Sequence, residues 1–172
     1  MAIKGINKII NNLKNIKNSA NEIDTLFIKL SLEWIRDKAN TLLDNNLSYE
    51  PNTFGTSIRE WDIIINSNYG KLENRYENSA SVEFGIGIVG KNNPTIHAQD
   101  SSWQYGVGYN LRINDDSLGW TFRDQNGKLW INFTGYEGKS FLYDALMEYK
   151  DNKMYEFFYQ QAFDRIMRKV IK

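Results

Sequence analysis

Apolar residues change their spacing twice along this chain, and the changes mark its elements. Ile3, Ile6, Ile9, Ile10, Leu13 and Ile16 recur at helical spacing, and Ile23, Leu26, Phe27, Leu30 and Trp34 continue the series, with Ala39, Leu42 and Leu43 beyond. The spacing predicts a short helix over about 3–17 and a longer one over about 20–44, because Asn18-Ser19-Ala20-Asn21-Glu22 offers N-capping side chains between them. Asn45-Asn46 and Pro51 end the series.

After Pro51 the period falls to two. Trp61, Ile63 and Ile65 alternate with Asp62 and Ile64; Val82, Phe84, Ile86 and Ile88 alternate with Glu83, Gly85 and Gly87; Trp103, Tyr105, Val107, Tyr109, Leu111 and Ile113 form a third series. Each predicts a strand, with Glu83 and Phe84 on opposite faces and Phe84 as the packing member. Asn126-Gly127, between Trp120-Thr121-Phe122-Arg123 and Leu129-Trp130-Ile131-Asn132-Phe133, predicts a hairpin, since a type I′ turn needs positive φ at both central residues. A two-residue loop would pair Trp120 with Phe133, Phe122 with Ile131 and Arg123 with Trp130.

From Phe141 to Val170 the helical period returns, with Phe141, Ala145, Tyr149, Phe158, Ala162, Ile166 and Val170 on one stripe. Tyr143, Leu146, Met147, Tyr155, Phe157, Tyr159 and Phe163 lie off it. That is more apolar circumference than a helix of a small monomer buries, so the surplus predicts a second helix or another subunit against it. The fold class that follows is α+β, one domain over 1–172. N-terminal helices over about 3–44 and a C-terminal helix over about 141–170 pack on one antiparallel sheet from a β-rich region over about 58–133.

Composition narrows the function classes. Lys plus Arg and Asp plus Glu are 21 each, so no global positive field collects nucleic acid. With no cysteine there is neither a disulfide frame nor a thiolate metal site. No run of about 18 apolar residues occurs, and the expectation is a soluble protein, made without secretion and with no membrane partner.

Candidate chemistry is thin. Gly85-Ile86-Gly87-Ile88-Val89-Gly90 matches G-x-G-x-x-G, but Lys91-Asn92-Asn93-Pro94 follows and cannot open a long helix for a pyrophosphate, so glycines in extended or bulged backbone are expected. His97 is the only histidine and has no metal-ligand spacing. Asp115-Asp116 reads as a turn, and Glu22 with Asp24 as a helix start. No serine has a G-x-S-x-G setting. Trp61, Trp103, Trp120 and Trp130 with Tyr105 and Tyr109 would suit strands and core edges, or a platform for sugars. Lysines and arginines on the terminal helices stand among acids and read as a solvated face. No catalytic, cofactor or metal site is expected.

Two phrases carry a resemblance. Ala80-Ser81-Val82-Glu83-Phe84-Gly85-Ile86-Gly87 is one; Thr134-x-x-x-Gly138 followed by Phe141-Leu142-Tyr143-x-Ala145-Leu146 is the other. With Thr53-Phe54-Gly55-Thr56-Ser57-Ile58 and the Trp-rich hairpin, they resemble, in order and over nearly the whole chain, the tail-component (tail completion) family of long-tailed bacteriophages. Ser140 stands where that family usually has Pro, and the Leu of its Thr-Gly-x-Leu is missing.

The resemblance implies a non-enzymatic virion protein of the neck, made in the bacterial host cytoplasm. It implies a homo-oligomeric ring, six-fold in preference to twelve-fold, joining the head connector to the tail tube or terminator, with DNA only as transit cargo. Glu83, Phe84, Tyr155, Phe158, Tyr159 and Phe163 would then lie at contacts. A tail terminator ring is the related alternative; a carbohydrate-binding β module is the alternative from another class.

Overall fold

A computed structural model describes residues 2–46, 52–53, 56–66, 69–76, 79–99, 103, 120–123, 129–133 and 135–170. It is α+β, with helices at both ends and antiparallel strand pairs between them. No described helix is long and apolar enough to cross a membrane. The chain divides into two compact units, one of residues 1–37, 62–73 and 146–172, the other of residues 38–61 and 74–145.

The first element, α1, runs unbroken over Ala2–Asn46, about 68 Å at the usual helical rise. The break expected at 18–21 does not form. Ser19 is buried, and its hydroxyl donates to the carbonyl of Asn15 (2.9 Å), one turn back inside the same helix. A serine so engaged lies within a helix and does not cap one. At the far end, the Asn46 side-chain amide donates to the Leu42 carbonyl (2.9 Å), satisfying an acceptor of the last turn.

Strands β1 (Asn52–Thr53) and β2 (Thr56–Ser57) pair with each other, as do β3 (Trp61–Ile65) and β4 (Gly70–Asn74). Then comes the largest departure from the periodicity. Ser79–Phe84, expected as a strand, is a helix, α2; Gly85–Ile86 is a two-residue strand, β5; Gly87–Asn92 is a second short helix, α3; and Ile96–Gln99 is α4. The alternation misled because two of its "polar" members are glycines. Gly85 and Gly87 hold φ of 86° and 70° and are buried backbone, so they break a strand and have no outward face.

Beyond lie β6 (Trp120–Arg123), β7 (Leu129–Phe133) and β8 (Gly135–Glu137). β6 and β7 pair antiparallel, with Trp120 opposite Phe133 as the turn signal requires, but Phe122 opposite Trp130 and Arg123 opposite Leu129. An irregularity between Trp120 and Phe122 shifts the pairing by one residue, so the expected Phe122–Ile131 and Arg123–Trp130 pairs do not form. Asn126-Gly127 and the series from Gln104 to Ile113 lie outside the described residues. Those that are described form four two-stranded ladders, β1-β2, β3-β4, β5-β8 and β6-β7, where one sheet was expected.

The C-terminal helix is two helices, α5 (Phe141–Asp151) and α6 (Met154–Val170). Lys153, at φ 51°, ends the first, and its N–H returns to the Lys150 carbonyl (3.0 Å). The predicted stripe nonetheless faces inward: Phe141, Ala145, Phe158, Ala162 and Ile166 are buried.

In the unit containing α6, Ile23, Ala162 and Ile166 form a cluster flanked by Leu26, Phe27, Leu30 and Val170. Phe27 meets Tyr159 edge-on (5.7 Å), and the Tyr149 hydroxyl donates to buried Ser31 (2.7 Å). In the other unit, Ala39, Leu43, Ile58, Val82, Ala98, Phe141 and Ala145 are buried, and Trp61 packs edge-on against Phe141 (6.1 Å) while donating its indole N–H to Asn40 (2.9 Å).

Candidate functional site: the Glu83 joint

The two phrases that stand about fifty residues apart in sequence meet in space. α2 ends at Phe84 and presents Glu83 to the start of α5. The carboxylate accepts two backbone N–H groups, Leu142 at Oε2 and Tyr143 at Oε1, both at 2.9 Å. These are first-turn donors with no partner inside their own helix. Ser140 occupies the N-cap position, its carbonyl accepting the Asp144 N–H (2.8 Å). The capping oxygens nevertheless come from a residue 59 positions upstream of Leu142. The negative carboxylate also faces the positive end of the helix dipole.

Backbone bonds fasten the same joint. Lys139 N–H donates to the Val82 carbonyl (2.8 Å) and Ser140 N–H to the Glu83 carbonyl (3.1 Å). β5 pairs with β8, Gly85 opposite Glu137 and Ile86 opposite Tyr136. Two glycines make the approach possible. A Cβ on Gly138 would come within 2.5 Å of the Glu83 carbonyl oxygen, and one on Gly85 within 2.6 Å of the Gly138 nitrogen. Both glycines belong to the two phrases.

Glu83 is 6% exposed. Desolvation raises its pKa above the ordinary carboxylate value; the two backbone N–H groups and nearby His97 oppose the rise, and Asp144 adds to it. Asp144 is itself raised by desolvation.

One side of the joint is aromatic. His97 stacks on Tyr143 (4.9 Å, 11° between planes) and lies against Phe84 (5.2 Å), which in turn touches Trp103 (5.1 Å). The Trp103 indole N–H donates to the Gly85 carbonyl (3.0 Å).

This arrangement can hold two helices and a strand pair in register. Both Glu83 oxygens are committed to backbone donors, and one face of His97 is covered by a tyrosine ring. Among the described residues no group of three or more His, Cys, Asp or Glu could hold a metal ion. The G-x-G-x-x-G segment does run from strand to helix, but its helix has six residues and its strand pairs antiparallel, so there is no βαβ unit for a dinucleotide.

The expected contact residues separate into two sets. Glu83 and Phe158 are buried within their own units, the latter stacked on Tyr149 (6.4 Å, 11°), and half-buried Phe84 belongs to the aromatic cluster. Tyr155, Tyr159 and Phe163 are exposed. The expected orientation at 83–84 is therefore reversed, since in the helix α2 Glu83 is the more deeply buried of the two. Sequence reasoning missed its capping role. The available signal was an acid without a cation partner amid apolar residues, matched to a helix start whose first turn lacks an acid until Asp144.

Comparison of the chain with protein-family models, with curated proteins and with solved structures gives no match.

Proposed function

We propose that this chain is a structural protein of the neck of a long-tailed bacteriophage, forming a homo-oligomeric ring between head connector and tail through which DNA passes. The observation that carries the reading is the Glu83 joint. The words on which the resemblance rests are short, but the fold uses them together: Glu83 and Gly85 from the first phrase, Gly138, Leu142 and Tyr143 from the second. Residues that depend on one another in space form a more specific signature than the same words found separately. Ser140 departs from the family's pattern within the joint itself, and this counts against the resemblance. Its φ is 47° and its N–H is bonded to Glu83, and proline permits neither.

Exposed apolar side chains on α6 support a role in contacts. Tyr155, Phe157, Tyr159 and Phe163 are 40%, 59%, 48% and 38% exposed. The sugar-binding alternative gains little support, because Trp61 and Trp103 are half-buried and use their indole N–H groups internally. The test is genetic and biochemical. In a phage carrying this gene, its removal is expected to leave DNA-filled heads and separate tails, with joining restored by adding purified protein to the lysate. Normal tailed particles without the protein would refute the proposal.

A further inference from the structure

α1 packs along one stripe and then changes face. Among its described residues Ser19, Ile23, Ser31, Ile35, Ala39 and Leu43 are buried, one every fourth residue, with half-buried Phe27 between Ile23 and Ser31. Carried back at the same interval, the stripe falls on Asn15, Asn11 and Asn7. Asn15 and Asn11 are exposed, so the packing of α1 on its own chain stops at Ser19. The apolar residues of the preceding turns lie on another side of the helix. Leu13 stands roughly 160° round from both Asn11 and Asn15. Ile10 and Leu13 are 43% and 60% exposed, and the sequence continues their spacing through Ile6 and Ile3, intervals of three and four that define one helical face.

Charge selects what this face can accept. Lys4, Lys8, Lys14 and Lys17 are the only charged side chains before Glu22. The lysines of α1 stand among acids from Glu22 onward, but not before it. Lys4 with Lys8, and Lys14 with Lys17, are like-charge pairs one turn apart, which weaken a helix until an anion relieves them. DNA would relieve the lysines and leave the aliphatic face in water. A neutral apolar groove would cover the face and leave the lysines unrelieved. An anionic bilayer does both without a matching shape: the aliphatic side chains enter the acyl boundary, and the lysines reach the headgroup phosphates with their stems along the apolar surface. The expectation of no membrane partner rested on the lack of a spanning run, which a helix lying in the interface does not need.

We infer that the first turns of α1, over residues 2–18, bind an anionic phospholipid surface, with Ile10 and Leu13 in the acyl boundary and Lys14 and Lys17 at the headgroups. The contact goes beyond the ring reading and does not depend on it.

The test uses the full-length chain, sedimented with vesicles of phosphatidylglycerol and phosphatidylcholine in equal parts and with vesicles of phosphatidylcholine alone. Several-fold more protein is expected on the anionic vesicles, and less as salt is raised. Two double variants separate the contributions. Ile10→Asn/Leu13→Asn removes the apolar face and keeps the charge; Lys14→Glu/Lys17→Glu reverses the charge and keeps the face. All four side chains are exposed, so the fold should survive, as circular dichroism would check. Each variant should lose most of the binding, whereas Lys91→Glu, exposed on α3, should lose none. Because the chain has no cysteine, Leu13→Cys carrying a polarity-sensitive fluorophore reports the site directly. Its emission should move to the blue with anionic vesicles, and the same probe at Lys91→Cys should not move. No binding to anionic vesicles, equal binding to both vesicle types, or binding without a shift at position 13 overturns the inference. A loss confined to the lysine variant also overturns it, since cations on any polyanion, DNA included, would explain that. A blue shift that grows with protein concentration in the absence of vesicles would assign the face to a second copy, overturning the membrane contact and leaving the ring.

Discussion

The Glu83 carboxylate caps the start of α5 from α2, and its removal should be felt as lost stability. Glu83→Ala leaves the Leu142 and Tyr143 N–H groups without their acceptors, a loss of about 1–3 kcal/mol for a buried donor, readable by urea denaturation. The pH dependence has an unusual sign. Burial raises the folded-state carboxyl above its reference value of 4.5, so the folded chain holds this proton more readily than the unfolded one. The stability it contributes is fully present below pH 4.5 and is lost as pH rises through the folded value. Asp144 shifts the same way but is common to wild type and Glu83→Gln. Wild type should therefore gain stability relative to Glu83→Gln as pH falls from neutrality toward 4.5; a gap that moves the other way would contradict the burial argument. Ser140 makes the complementary case: at φ 47°, Ser140→Gly should stabilise by about 1 kcal/mol and Ser140→Pro should destabilise strongly, as melting temperatures would report.

Among the elements, α6 shows how far periodicity can be trusted. Phe158 on the predicted stripe is 8% exposed and its neighbour Phe157 is 59% exposed. Phe158→Asp should unfold this unit at a cost of roughly 3 kcal/mol or more, while Phe157→Asp should cost about 1 kcal/mol for the loss of its edge-on contact with Phe158 (5.3 Å), compared by chemical denaturation. Lys153→Gly should stabilise the α5–α6 break by about 1 kcal/mol, because glycine holds a φ of 51° without the penalty a side chain incurs. The terminal helices were legible because their apolar faces repeat over many turns. What the pattern could not reveal was where a helix continues or stops: Ser19 bonds back into α1 although its neighbours suggest a cap, and Asn152-Lys153 ends α5 although the stripe runs on. Nor could it reveal α2, because two of the three non-apolar members of the alternation at 82–88 are glycines. The joint itself was visible only as two phrases; their meeting depends on a bond spanning 59 residues, which no local period encodes.

At the scale of the molecule, the proposed ring gives the exposed apolar side chains of α6 something to pack against. The chain is neutral overall, and the α6 face that bears the exposed aromatics Tyr155, Phe157, Tyr159 and Phe163 carries both signs of charge. The most direct test of the ring is the native mass of the purified full chain at high protein concentration. The ring predicts a discrete closed species of six times the 20.1 kDa chain. A mass that stays at one chain, or an open distribution that grows without closing, would contradict it.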